Sequence, residues 1–279
     1  MNFTEKLRKS VSSANSVLCV GLDPVPERIP RPLKDAFPEP PRQVLEFCRR
    51  VIEAVKPHAC AFKPNTAFFE AMGSEGWSVL EQVVEMVPSN RVLIIDAKRG
   101  DIGNTAAQYR KALFDKLNAD AVTLNPLMGL DTLDPFLDDP GKGIFILTMT
   151  SNRGAGDFLQ RRFEGRMSLG EYIAEEIAKK QAKSKTHLGM VVGATQGESA
   201  ASVMGAFPEA HLLIPGIGAQ GGSVDELARI TQHHKGIPVI SSSRSIIYAG
   251  GDETGWMEQV SQKAADVKES LRKITDRYV

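Results

Sequence analysis

Eight short apolar runs set the limits on what this chain can fold into. They lie at 16–23 (SVLCVGLD), 59–65 (ACAFKPN), 91–98 (RVLIIDAK), 121–125 (AVTLN), 143–150 (GIFILTMT), 188–194 (LGMVVGA), 211–217 (HLLIPGI) and 238–244 (PVISSSR). Their apolarity is nearly continuous rather than alternating, the mark of parallel strands covered on both faces. Between them, apolar residues recur at three- and four-residue spacing, the period of a helix. Helices are predicted at 44–56, 77–87, 105–117, 133–137, 169–182, 200–206 and 224–232, with Asn104 or Thr105 capping the third. A final helix carries Met257, Val260, Ala264, Val267, Leu271 and Ile274 on one side, a packing face. Eight strand–helix units within about 250 residues fit a (β/α)8 TIM barrel, one domain over 1–279. An open doubly wound sheet is the alternative, but no G-x-G-x-x-G follows the first strand. Seven prolines between 24 and 41 argue against regular structure there, and 151–168 reads as a long polar loop.

Charge narrows the partners. Lys and Arg together number 34, as do Asp and Glu, so the net charge is zero and no general nucleic-acid or membrane surface is expected. An anionic ligand must then be met by locally placed bases. No apolar run approaches the ~20 residues of a membrane span, and the charged N-terminus does not read as a secretory signal. Cys19, Cys48 and Cys60 lack C-x-x-C spacing and read as core thiols of a reducing compartment. A cytoplasmic location is expected.

A barrel builds its active site at the C-terminal ends of its strands. Here those ends carry Asp23, Lys63, Asp96 with Lys98, Asn125, Ser151, Thr195 and Arg244. Alternation along the third strand turns Asp96 and Lys98 to the same side. Asp101 follows the turn at Gly100, so an Asp-Lys-Asp convergence is expected. Buried charge costs several kcal/mol per ion unless paired, and two acids would hold the lysine as an ammonium. A purely structural ion pair at a strand end is the plainer reading. The seventh strand runs into Pro215-Gly216-Ile217-Gly218-Ala219-Gln220-Gly221-Gly222, whose glycines let backbone N–H groups approach an anion. The eighth ends in Ser241-Ser242-Ser243-Arg244, and arginine suits bidentate phosphate contacts. Loops after strands seven and eight are where barrels hold phosphate. His58, His187 and His211 stand at strand starts, away from that face, and His233-His234 read as solvated. No histidine and carboxylate share a metal-ligand spacing at the active face, and no G-x-S-x-G elbow supports acyl transfer. Neither a metal nor another cofactor is expected.

Asp96-x-Lys98-x-x-Asp101-Ile102-x-x-Thr105 resembles the signature of the orotidine 5′-phosphate decarboxylase family, and DAKRGDIGNTA is similar to its longer bacterial branch. The likeness extends through GLDP at Asp23, FKPN at Lys63, TSNRGA at Ser151, VVGAT at Thr195, PGIGAQGG at Gln220 and SRSI at Arg244. It implies decarboxylation of orotidine 5′-phosphate to UMP in pyrimidine biosynthesis, without a cofactor. It implies that Asp96 presses on the substrate carboxylate and Lys98 protonates C6, while Asp23 and Lys63 hold the ribose hydroxyls. Ser151 would contact the pyrimidine, Pro215 would line its pocket, and Gln220 and Arg244 would grip the phosphate. Asp101 and Thr105 would reach a neighbouring subunit's site, giving a homodimer with shared active sites. Ser243 departs from the family's shorter branch, where a glycine often precedes the arginine, and stands outside the expected site. The roles of 24–41 and 151–168 stay open. Three rivals remain: a Mg²⁺-dependent sugar-phosphate decarboxylase or aldolase barrel of the same suprafamily, a Schiff-base aldolase, and a non-catalytic nucleotide-binding barrel. Lys63 at the second strand's end opposes the first, and the acids around Lys98 oppose the second, which needs a neutral lysine.

Overall fold

The computed structural model of the chain describes residues 1–163, 165–216, 223–252 and 254–279. Eight parallel strands close into a barrel: β1 (Leu18–Leu22), β2 (Ala61–Pro64), β3 (Val92–Arg99), β4 (Ala121–Leu124), β5 (Gly143–Met149), β6 (His187–Val192), β7 (Leu212–Pro215) and β8 (Pro238–Ser242). Each strand pairs with its neighbours in sequence, and β1 pairs with β8 through Leu18↔Ile240 and Cys19↔Ser241. That closure excludes the open sheet. Val17 to Val20, Val92, Ile94, Ile95, Ala121 and Val122 are fully buried, as strands covered on both faces demand.

Most strands are shorter than the apolar runs that announce them. Asp23, Asn65, Asn125, Thr150 and Arg244 fall just beyond their strand ends, in the loops of one face. The helices include Pro40–Val55, Gly73–Glu85, Leu169–Gln181, Gly197–Ala206, Val224–Ile230 and Trp256–Ser270. The predicted helix at 105–117 is two pieces, Gly103–Arg110 and a wider π turn over Lys111–Lys116. Its N-cap is Ile102, which gives no side-chain bond, so neither Asn104 nor Thr105 caps it.

Two segments differ from expectation. The proline-rich stretch holds a 3₁₀ turn at Pro26–Arg28 and a helix at Arg31–Ala36, and Pro40 opens the helix after it. Proline in a first helical turn gives up an N–H that has no intrahelical partner anyway, so these prolines start helices rather than forbid them. The N-terminus forms a helix, Phe3–Ala14, closed by a capping box: the Asn2 side chain accepts from Glu5 N–H at 2.9 Å, and Glu5 accepts from Asn2 N–H at 3.0 Å. Its Phe3, Leu7, Val11 and Ala14 seal the barrel bottom. Phe3 meets Phe145 edge-on at 6.3 Å, over Gly143, where a Cβ would lie 2.5 Å from the Phe3 ring. The 151–168 segment contains a 3₁₀ turn at Arg153–Asp157 and a small ribbon pairing Arg162–Phe163 with Met167–Ser168. Among the described residues no helix is long and apolar enough to cross a membrane.

Candidate active site

The chemistry of the barrel mouth starts with a defect in β3. Its ladder with β4 runs Ile94↔Ala121 and Ile95↔Val122, then resumes at Arg99↔Leu124. Asp96, Ala97 and Lys98 thus bulge against Thr123 alone, and Lys98 takes φ +49°, the left-handed region a side chain enters at a cost. Asp96 and Lys98 do meet, at 2.5 Å, but through this bulge rather than by plain alternation. Gly100 follows where a Cβ would strike the Asn125 carbonyl at 2.3 Å, so the return past β4 requires glycine.

Asp96 is the hub. Its Oδ2 accepts from Lys63 Nζ at 2.8 Å, and its Oδ1 accepts from Lys98 Nζ and from Thr123 Oγ1 at 2.9 Å. Burial alone would favour the neutral acid; the ammonium groups of Lys63 and Lys98 outweigh it and hold the carboxyl well below the usual range. Lys63 shows the mirror case. Burial favours the free amine, but the charges of Asp96 and Asp23 keep it an ammonium, above its ordinary value. Lys63 is buried, whereas the Lys98 side chain is 48% exposed at the mouth. Asp96 bonds both lysines, and Asp23 acts on Lys63 from farther off across the smaller hollow.

The convergence is therefore Lys-Asp-Lys within one chain, not Asp-Lys-Asp. Asp101 sits apart, its Oδ1 accepting from Ile102 N–H at 2.8 Å, and Thr105 is exposed beside it. Nearby in the chain Ile102 is exposed, as are Leu127 and Met128 in the loop after β4, which Gly100 approaches at Asn125.

Two hollows meet at this hub. One of about 250 Å³ is lined by Lys63, Asp96, Lys98, Thr123, Ser151 and Pro215, with Leu147, Val191 and Leu213 as an apolar wall. The other, about 170 Å³, shares Lys63, Asp96 and Pro215 and extends to Asp23, Ser243 and Arg244. Of the expected residues, Asp23, Lys63, Asp96, Lys98, Ser151, Pro215 and Arg244 are thus brought together, and Asp101 and Thr105 are not. Gln220 lies outside the described residues. Thr195 instead donates to the Ser151 carbonyl at 3.0 Å, and the Asn125 side chain accepts from Leu127 N–H at 3.1 Å.

Two residues were not expected. Thr123, a lone hydroxyl inside an apolar run, is 1% exposed and bonds Asp96; its place in a buried strand was the available signal. Ser243 donates to Asp23 Oδ2 at 2.6 Å. It packs so tightly on Gly21 that a Cβ there would lie 2.7 Å from its own Cβ, so this serine needs that glycine. Asp23 Oδ1 is buried with no hydrogen-bond partner among the described residues. An ionised oxygen left so costs on the order of 1–3 kcal/mol until a donor arrives. The thiols take no part: Cys19, Cys48 and Cys60 are buried, and burial pushes Cys19 up to about 12.

The chain matches the family described as Orotidine 5′-phosphate decarboxylase / HUMPS over residues 16–258. A protein of Dehalococcoides mccartyi called orotidine 5′-phosphate decarboxylase is 39% identical over 283 positions, covering 100% of this chain and 98% of its own. One of the same name from Herpetosiphon aurantiacus is 42% identical over 249 positions, covering 89% and 90%. The solved structure of Leishmania donovani OMP decarboxylase superposes with a TM-score of 0.81 at 33% identity, covering 99% of each chain.

Proposed function

The chain belongs to the orotidine 5′-phosphate decarboxylase / HUMPS family, and from that premise we propose that the Lys63–Asp96–Lys98 cluster carries the chemistry, with Lys98 as proton donor. The enzyme's reaction is decarboxylation of orotidine 5′-phosphate to UMP in pyrimidine biosynthesis. Breaking the C6–carboxylate bond releases CO₂ and leaves the electron pair on C6. The Lys98 ammonium, at the open side of the cluster, stabilises that pair where it develops. Nζ of Lys98 then gives its proton to C6, forming the C–H bond of UMP, and recovers a proton from water at the open mouth. Asp96, held ionised, faces the substrate carboxylate and raises the energy of the bound ground state; that repulsion disappears as CO₂ departs.

The observation that carries this reading is the Asp96 carboxylate bonded to two lysines at the junction of both hollows. The larger hollow, with its apolar wall, suits a pyrimidine ring touched by Ser151 and Pro215. The smaller suits ribose and phosphate. A ribose hydroxyl would answer the unmet need of Asp23, Lys63 borders both spaces, and Arg244 would hold the phosphate with Gln220. No carboxylate pairs with Arg244 among the described residues, which leaves its charge for a ligand. Remote phosphate binding can draw the mouth closed and expel water, so these grips would serve turnover as well as affinity. The Mg²⁺-dependent reading is disfavoured by Lys63, whose ammonium stands 2.8 Å from Asp96, where a cation would have to bind.

Asp101 and Thr105 would complete the site of a second copy, with Ile102, Leu127 and Met128, each more than half exposed, covered at the same interface. The unit is then a cytoplasmic homodimer of single-domain barrels. The test is an absorbance assay for conversion of orotidine 5′-phosphate to UMP, with and without chelator. Turnover should survive chelator, and Lys98→Ala should abolish it while UMP still binds. Turnover by Lys98→Ala sinks the proton-donor role, and loss of wild-type turnover in chelator revives the metal-dependent reading.

A further inference from the structure

Lys98 is the least restrained member of the cluster. Its side chain is half exposed, so packing does not aim it. What fixes it is its backbone, and that backbone is in the left-handed region, where a non-glycine residue is strained and persists only if its surroundings over-determine it. The bulge removes the regular β3–β4 ladder at this point. In its place, Lys98 N–H donates to Thr123 Oγ1 at 2.9 Å. The same oxygen donates to Asp96 Oδ1 at 2.9 Å, and Asp96 Oδ1 takes the Lys98 ammonium. A closed ring results: Lys98 amide, Thr123 hydroxyl, Asp96 carboxylate, Lys98 Nζ. The hydroxyl uses a lone pair on one side and its proton on the other. Only serine or threonine offers both on so short a stem.

We propose that Thr123 is a positioning residue for the proton transfer, holding the bulged Lys98 backbone and the Asp96 carboxylate in one register so that Nζ points at C6. This rests on Lys98 being the proton donor. Thr123 borders the larger hollow, but its hydroxyl is engaged on one side by Lys98 N–H and on the other by Asp96, so its loss should change ground-state binding much less than the rate. A misplacement of about 1 Å can cost on the order of a hundredfold in rate.

The test compares Thr123→Val, Thr123→Ser and Lys98→Ala in the full chain. Two readouts are used: kcat and KM for orotidine 5′-phosphate, and exchange of the C6 proton of UMP in D₂O, which runs the lysine step in reverse. Thr123→Val should lower kcat and the exchange rate together, by about ten- to a hundredfold, with KM within about threefold of wild type. Thr123→Ser, which keeps the hydroxyl, should restore both. Should the valine variant not fold, Thr123→Ala carries the same expectation. Wild-type kcat in Thr123→Val or Thr123→Ala, a KM that rises in step with the lost rate, or a serine variant as poor as the valine would each overturn the assignment. Turnover in Lys98→Ala overturns the proton-donor reading and this one together; normal turnover in Thr123→Val beside a dead Lys98→Ala overturns this one only.

Discussion

Charge balance at single residues decides what the mouth can bind. Asp96 spends its lone pairs on Lys63, Lys98 and Thr123 and is held as an anion in spite of burial. Asp23 is less satisfied, with Ser243 on one oxygen and, among the described residues, no partner on the other. Arg244 opens the short turn after β8 and borders the smaller hollow without a carboxylate partner among the described residues. If it grips phosphate, Arg244→Ala removes a charge-assisted pair of hydrogen bonds, a loss of about 2–3 kcal/mol or roughly thirty- to 150-fold in affinity. Inhibition constants measure this directly: UMP should weaken by that factor, and uridine by no more than about threefold. Equal weakening of nucleotide and nucleoside would move the arginine away from the phosphate.

Elements, not residues, hold the bottom of the barrel, and there a titratable pair is sealed in. His187 opens β6, and His211 stands just before β7; their rings stack at 4.0 Å. His211 Nδ1 accepts from Ile237 N–H at 3.0 Å, and His187 Nε2 accepts from His211 N–H at 3.2 Å. Thr4 of the N-terminal helix reaches both rings, and Phe3 packs on them. Burial lowers His187 to about 4. Burial, then the neighbouring His187, His234 and Arg8, lowers His211 well below its ordinary value. The unfolded chain therefore takes up protons below about pH 6.5 that the folded one refuses, so stability falls as pH drops from 6.5 towards 4. His187 alone should cost about 2 kcal/mol between pH 7.5 and 5. Urea midpoints at those two pH values check it, and His187→Gln should flatten the difference; an unchanged slope would refute the cause. The eight strands were legible because apolar runs survive into burial, and the strand-end residues because a parallel barrel exposes only that end. The helix at Phe3–Ala14 was not, although the Asn2/Glu5 capping box was available to announce it. The helix at Arg31–Ala36 and the first turn of Pro40–Val55, whose body was read at 44–56, were obscured by prolines that in fact start them. Within the site, the partners of Asp96 were legible only in part: Lys63 lies 33 positions from Asp96 in sequence, and only closure of β2 against β3 brings them together.

The whole molecule leaves one sequence expectation unplaced within a single chain. The signature names Asp101 and Thr105, yet neither borders the hollows that the lysines of their own barrel line. Gly100 approaches the loop after β4 at Asn125, and Ile102, Leu127 and Met128 give this surface an apolar character that water does not favour. A two-fold dimer would bury this patch against its own copy and bring each Asp101 to the opposite mouth, beside the Lys98 ammonium. Such sharing has a consequence that a site built within one chain cannot imitate. Lys98→Ala and Asp101→Asn proteins, each inactive alone, should recover activity when mixed. In a mixed dimer one mouth carries both lesions and the other neither. Random exchange makes about half of the dimers mixed, so activity should return to about a quarter of wild type at equal total protein. Native mass spectrometry of differently tagged chains reports the exchange independently. Exchange without recovered turnover would mean that Asp101 serves its own barrel or none.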